Sequence, residues 1–475
     1  MTFSPVLLWS DALIWLLVLA VIMLGVASAR NPLLRTAWRR VGRNRTAMSA
    51  ATVLLVFVLI GLLDSLHYRP QLASRDASQP VAYAVDVRSL LDALTTPLRT
   101  RHEKTYSEPL ATRAYAKESS EIVRADSSIG VARDFPRLKY GGAHLGEHEA
   151  GRAADIAKRV LAAEALAAVI LACIALGAAY LLAPRSACSA RKAWRGFWRS
   201  DAEIAWNAVL LTFGVVLVLA LPLIVLSPYY HVFGTDKVGL DVFYQILKSV
   251  RTALVIGLVT TLVTLPLAIL FGIWAGYFRG WVDDVIQYLY ITLSSIPGVL
   301  LIAAAVLMMQ VVIDTHPDWF TTSAERADAR LLALCLILAM TSWTGVARLL
   351  RGETLKLREL EFVQAAQAFG VGRFAIMRRH ILPNLMHIVL ISLVMDFSGL
   401  VLAEAVLSYV GVGVDPTTIS FGTMINTARM ELAREPMVWW SLMAAFSFMF
   451  ALVLAANLLA DAVRDAFDPR IAGSS

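Results

Sequence analysis

The stretch EFVQAAQAFGVGRFAIMRRHILPN, Glu361 to Asn384, separates two long apolar runs, and its reading decides how the whole chain is organised. Phe362, Ala365, Ala366 and Phe369 recur at i, i+3, i+4 and i+7, the spacing of one helical face. Gly370 follows where a helix C-cap is expected. Gly372 opens a second, basic stretch, and Pro383-Asn384 closes it just before the next apolar run. A short helix of small residues held at a membrane surface between two spans is suited to docking against another protein.

The rest of the composition supports a membrane setting. The chain has 475 residues, 58% hydrophobic and 17% charged, with a mean hydropathy of +0.64. Several apolar runs exceed the roughly 18–20 residues that cross a bilayer. Lipid offers no water to open backbone groups, so the expected class is an all-α polytopic membrane protein. The net charge of +7 and pI of 9.4 do not argue for nucleic acid, because in such a chain the position of the basic residues matters more than their sum. Cys173, Cys188 and Cys335 show neither disulfide nor metal spacing and read as packing residues.

Counting outward from Glu361–Asn384 gives about nine spans. They fall near residues 11–29, 47–66, 160–182, 204–226, 253–275, 285–309, 330–346, 386–410 and 438–460. The sixth is interrupted by Pro297-Gly298, where a kink is expected. The first has no basic region ahead of it and reads as a retained span rather than a signal peptide. With this count every strongly basic loop, 30–46, 184–200 and 348–384, falls on one side, which the positive-inside rule makes cytoplasmic. The N-terminus is then outside and the C-terminus inside. An error of one span would break the agreement. The polar segment 67–158 falls outside, and its middle, Ser89 to Ala132, reads as a helical or partly disordered surface region without a core of its own. The Ala-Trp-Arg steps at 37–39 and 193–195 read as interfacial, with Trp at headgroup level.

From Phe233 onward a series of stretches resembles the C-type permease subunits of ABC importers for dipeptides, oligopeptides and related solutes. In order they are FGTDKVGLDV (233–242), AGYFRGWVDD (275–284), LSSIPGVLL (293–301), RLLRGETLKLRELEFVQAAQAFG (348–370), RHILPN (379–384), LAEAVLSYVGVGV (402–414) and NLLADAVRDAFDPR (457–470). The resemblance implies a six-helix type I permease domain over 204–470, preceded by three extra spans. These divide into 1–66 (two spans), the 67–158 insert, and 159–203 (a third span and basic loop). It also implies that 351–384 is the coupling segment, with Glu361, Gln364, Ala365, Ala366, Gly370, Pro383 and Asn384 meeting an ATPase. The implied partners are a second homologous permease, two cytoplasmic ATPase subunits and a periplasmic solute-binding protein, in a bacterial inner membrane. ATP and magnesium belong to the ATPase subunits, and this chain is expected to hold no cofactor.

Two departures stand out. The family motif begins Glu-Ala-Ala, whereas this chain has Gln364-Ala365-Ala366, so any charge pairing shifts to Glu361. Leu240 occupies a position where Arg is common, so no Arg contact carries over. The sequence contains no Gly-Lys dipeptide, hence no Walker A loop, and the chain is expected to be a transport subunit rather than an enzyme.

Two other function classes were weighed. Asp396 and Glu404 lie within the eighth span, eight residues apart on one helical side, and intramembrane acids can serve proton-coupled secondary transport. His144, Glu147 and His148 fit H-x-x-E-H, a zinc-peptidase pattern that requires both histidines on one helical face. Gly142 and Gly146 oppose a helix there, and no third ligand is recognisable. His231, His316, His380 and His387 show no ligand spacing.

Overall fold

The computed structural model describes residues 3–30, 32–72, 83–123, 129–146, 149–182, 204–320, 322–415 and 417–467. The principal helices are α1 (Trp9–Arg30), α2 (Pro32–Arg43), α3 (Arg45–Asp64), α4 (Arg152–Leu182), α5 (Trp206–Leu226), α6 (Val242–Phe278) and α7 (Trp281–Ser295). They continue as α8 (Gly298–Thr315), α9 (Ser323–Arg358), α10 (Glu361–Ala368), α11 (Leu382–Val410), α12 (Phe421–Leu432) and α13 (Trp440–Phe467). Among the described residues, eight helices are long and apolar enough to cross a membrane: α3, α4, α5, α6, α8, α9, α11 and α13.

Each expected span has a counterpart, with two differences. The apolar part of α1, Trp9–Met23, is too short to be counted among the eight. The sixth expected span is broken rather than kinked: α7 ends at Ser295, Ile296 is extended, and α8 restarts behind Pro297. Proline lacks the N–H that would continue the α7 ladder but suits a helix start.

The centre of the bundle is the long pair α6 and α9. Gly276 lets them meet: a Cβ there would lie 2.6 Å from Thr354 Cβ and 2.8 Å from the Arg351 carbonyl oxygen. In a lipid solvent such close packing, rather than hydrophobic exclusion, holds helices together. α11 and α13 complete one side, with Val250, Leu254, Phe397, Val401, Met449 and Leu452 in a shared core. The helix that fills the angle between α6 and α13 is α3, through Phe57 and Gly61. α5 lies outboard, against α3 and α4, and meets α6 only at its far end through Leu223.

Helix starts are set by short polar caps. Asn44 accepts the Thr46 and Ala47 amides at 3.0 and 3.3 Å, and Ser420 with Thr423 forms a capping box on α12. The amphipathic α2 leans on the end of α13, where Val41 joins Ala462 and Val463 and Trp38 meets Phe467 edge-on. Arg279 pairs with Glu359, and Gly61 meets Leu254 at the far ends of α3 and α6. The loops at 30–46, 277–281 and 348–384 therefore gather at one end of the bundle, hereafter the basic end.

The opposite end carries the small β structure. β1 (Phe3–Val6), β2 (His67–Pro70) and β3 (Arg88–Ser89) form one antiparallel sheet. β4 (Glu118–Val123) and β5 (Ile129–Asp134) form a hairpin. Over Ser89–Ala132 the expected helix is present in two short pieces, Leu90–Leu94 and Thr96–Thr100, but the hairpin corrects the expectation for the second half. Alternation across SSEIV and IGVAR is short and is obscured by charged neighbours. The segment has no separate core; it packs on the bundle. Leu98 joins Phe243 and Tyr244, Tyr106 and Tyr115 meet Trp440 edge-on, and Leu110 and Leu145 cover Tyr230.

Candidate functional site

At the basic end, α10 stands between α9 and the start of α11. Leu360 leaves α9 in an extended conformation, and after α10 the chain reverses at Gly370, which has φ +76°. The Gly370 amide donates to the Gln367 carbonyl at 3.0 Å and the Val371 amide to Ala366 at 3.1 Å. This is a Schellman ending, and it favours a residue without a Cβ.

The predicted apolar stripe divides. Ala366 turns inward with Val363, into a cluster with Leu350, Ile376, Met377 and Ile381. Phe362, Ala365 and Phe369 turn outward, and Phe369 is 87% exposed. Three exposed residues at i, i+3 and i+7 make a ridge, with Phe374 exposed nearby. Glu361 and Gln364 are exposed beside it, and the Gln364 side-chain amide donates to the Glu359 carbonyl at 3.1 Å.

The ridge is held from behind. Arg351 makes a two-pronged bond to Asp283, 2.6 Å in each arm, joining α9 to α7. Arg358 donates to the Tyr277 carbonyl at 2.9 Å. Beyond Gly372 a helical turn, Arg373–Ile376, passes through a π-helical turn, Met377–Ile381, into α11. Pro383 cannot donate to the residue four positions before it, and the wider turn accommodates that loss. Asn384 donates to the His380 carbonyl at 2.6 Å. Pro383 and Asn384 thus shape the return into α11, one helical turn removed from the ridge.

The two intramembrane acids have different surroundings. Glu404 is buried and accepts bonds from Ser408 Oγ at 2.7 Å and Ser420 Oγ at 2.8 Å. It ties α11 to the start of α12. Asp396, in the middle of α11, is half-buried, and its carboxylate has no hydrogen bond or ion pair among the described residues. Around the α7–α8 break, Ser294 to Leu300 are all exposed. Open backbone at membrane depth does not face lipid; it is buried in protein or lines a water-filled space.

At the opposite end, the 233–243 stretch is a folded polar turn. Asp236 accepts the Val238 and Leu240 amides at 3.0 and 2.8 Å. Asp241 caps α6 by accepting the Phe243 amide at 2.8 Å, and its second oxygen meets His231 Nδ1 at 2.7 Å. His231 Nε2 faces Glu103 Oε1 at 3.4 Å. Glu103 also accepts the amides of Lys139, Tyr140 and Gly141 at 2.8, 2.7 and 3.1 Å. Burial disfavours the His231 charge, but the Asp241 and Glu103 bonds outweigh it and raise the imidazole to about 9. Burial likewise opposes the Glu103 charge, yet His231 and the three amides bring that carboxyl down to about 2. Sequence reading missed this cluster. A ten-residue spacing carries no helical or strand signal, and Glu103 is 128 residues from His231.

A second ion network binds the N-terminal elements to α6 and α9. Arg251 reaches Asp11 at 2.6 Å, and Asp11 meets His67 at 2.7 Å. Lys248 reaches Asp64 at 2.6 Å and Asp92 at 3.3 Å. Leu240, at the position where the related pattern has Arg, packs beside Leu98 and Phe243.

The zinc-peptidase pattern finds no support. Ala143–Leu145 is a single 3-10 turn, with Gly142 and Gly146 at positive φ on either side, so no α-helical face forms through His144. His144 Nε2 meets Asp155 Oδ2 at 2.8 Å. Glu147 and His148 lie outside the described residues, as does Cys188. Cys335 is buried among the leucines of α9, and Cys173 is exposed on α4.

Comparison with known proteins agrees with this architecture. Residues 268–473 match the family described as binding-protein-dependent transport system inner membrane component. The chain is 30% identical to the glutathione transport system permease protein GsiD of Pectobacterium atrosepticum, covering 60% of this chain and 93% of that protein. It is 30% identical to the oligopeptide transport system permease protein OppC of Mycobacterium tuberculosis, covering 50% and 76% respectively. It is 28% identical to the dipeptide transport system permease protein DppC of Bacillus subtilis, covering 51% and 69%. With the polytopic helical bundle, these matches show that the chain belongs to the inner-membrane permease components of binding-protein-dependent ABC transport systems.

Proposed function

We propose that this permease serves an ATP-driven importer of peptides or related small solutes, and that α10 is the element through which ATPase motion reaches the membrane. The observation that carries the reading is the exposed Phe362–Ala365–Phe369 ridge at the basic end, held by the Gly370 turn. A large aromatic at 87% exposure, capping the C-terminus of an eight-residue helix, is a docking feature rather than a packing one. The peptide class is taken from what the glutathione, oligopeptide and dipeptide permeases are named for.

The working assembly pairs this chain with a second homologous permease, two ATPase subunits holding ATP and magnesium, and a periplasmic solute-binding protein. The chain itself carries no nucleotide or other cofactor. Glu361, Gln364, Ala365, Ala366 and Gly370 form or shape the docking face, while Pro383 and Asn384 direct its return to the membrane. The arginine-rich basic end faces the cytoplasm, which puts the N-terminus and the 67–158 insert in the periplasm. The permease core comprises α3 together with α6 to α13, because α3 rather than α5 packs between α6 and α13. The insert, α4 and α5 then form one addition placed between the first and second core helices.

The test is co-purification of the importer with Phe369→Asp. We expect loss of the ATPase subunits and of uptake, with the two permeases still paired. Retention of the ATPase with normal uptake would remove α10 from this role.

A further inference from the structure

We propose that Asp396 is a cargo contact: an acidic side chain, near the middle of α11, that receives the ammonium group of amine-bearing cargo during passage. The proposal rests on the reading of this chain as a pathway-forming permease. Its carboxylate sits near the centre of the 29-residue α11, so it lies far from water at either surface. A carboxylate facing lipid is costly, and such groups are kept where a partner or a water-filled cavity receives them. Among the described residues no side chain of this chain does so. Glu404, by contrast, has two hydroxyl donors and is buried, which assigns it to holding α11 and α12 together.

The surroundings are those of a passage rather than a closed ion pair. Asp396 lies at the margin of an exposed face of α11 that includes Met395, Gly399 and Leu402. At Gly399, one turn further along α11, a Cβ would meet no atom within 4 Å, so the helix surface next to Asp396 is uncovered in this chain. The exposed break between α7 and α8 supplies free backbone groups at membrane depth elsewhere on the bundle, again requiring a wet or protein-covered surface. An acidic side chain without a partner among the described residues can receive a cation, and a small cargo bearing an ammonium presents one.

The experiment uses the complete importer in proteoliposomes. One arm measures labelling of Asp396→Cys by a water-soluble, membrane-impermeant thiol reagent, against a background lacking all three native cysteines, Cys173, Cys188 and Cys335. The other measures uptake of a dipeptide with a free α-amine and of a des-amino analogue that the wild type also carries. We expect rapid labelling. We also expect Asp396→Asn to lower uptake of the free-amine dipeptide about tenfold, with smaller loss for the analogue, and with assembly and basal ATP hydrolysis retained. Asp396→Glu should restore most of the difference. Absence of labelling overturns the pathway reading itself. Labelling with equal loss for both peptides, or no loss, overturns only the ammonium contact. Failure of Asp396→Asn to assemble assigns the carboxylate to subunit pairing and also overturns it.

Discussion

His231 Nδ1 and Asp241 Oδ2 are 2.7 Å apart at the point where the outer turn enters the longest helix of the bundle. The same aspartate caps that helix, and the same histidine faces Glu103 from a segment more than a hundred residues earlier. One buried imidazole thus joins the insert to the permease core, and its charge state sets how firmly they hold.

This gives a pH dependence of defined sign. His231 is raised from an ordinary 6.5 to about 9, so its contribution is complete below 6.5 and is lost as pH rises through 9. Glu103 is lowered from 4.5 to about 2, so its contribution is complete above 4.5 and is lost as pH falls toward 2. Stability from this cluster is therefore greatest between those ordinary values. We expect thermal unfolding in detergent to show a falling midpoint from pH 6.5 to 9.5, and His231→Gln to flatten that slope. An unchanged slope in the variant would detach the effect from His231.

Truncating the histidine removes the cation between two buried carboxylates. We expect His231→Ala to destabilise the protein by about 3 kcal/mol, the range for breaking a buried pair and leaving charge uncompensated. Denaturation in detergent would read this. A change below about 0.5 kcal/mol would mean that water replaces the imidazole.

Gly370 occupies left-handed backbone with no neighbour within 4 Å of a Cβ, so any penalty there is conformational rather than steric. Gly370→Ala should cost about 1 kcal/mol, and the β-branched Gly370→Val more. Because the turn sets the angle of α10, the valine variant should hydrolyse ATP without matching uptake. Normal transport by Gly370→Val would remove the coupling role from this segment.

Gln364 tests the departure from the family motif. Its amide donates to the Glu359 carbonyl, a bond that glutamate cannot make, but both groups are exposed and water can replace it. Gln364→Glu should therefore change stability by less than about 1 kcal/mol and preserve transport. A transport loss above tenfold would show that the neutral side chain matters in the docked state.

Deleting the middle of the insert, residues 85–130, would be too coarse a test of its role. Such a deletion removes Leu98, Glu103, Tyr106 and Tyr115, all packed on the bundle or buried against it, and leaves His231 with Asp241 but without Glu103. Replacing the 118–134 hairpin with a short turn spares those residues. If the insert contacts the binding protein, this variant should assemble normally, with weaker capture of the loaded binding protein. Unchanged capture would exclude the hairpin from that contact.

Legibility followed the range of the interactions. Span positions, an interruption at Pro297 (expected as a kink, found as a full break), the basic end and the Gly370 turn were readable from the chain, because each depends on local properties: apolar run length, a missing N–H, charge and φ. The β-hairpin was not, since its short alternation is masked by charged neighbours. Nor was the division of the helical stripe, because Ala366 is turned inward by Ile376 and Ile381 beyond the next turn while Ala365 is left outside.

The sequence alone determined that this is a polytopic helical permease with a basic segment between two of its spans, because hydropathy and motif order survive without any tertiary contact. Tertiary structure decided which of two similar acids is engaged and which is free. Glu404 finds Ser420 across a loop and Asp396 has no partner among the described residues, though both read as intramembrane carboxylates on one helix. It also decided that α3 completes the packing beside α6, and that His231 lies between two carboxylates. Those outcomes depend on groups brought together from distant parts of the chain, and no local pattern encodes such a meeting.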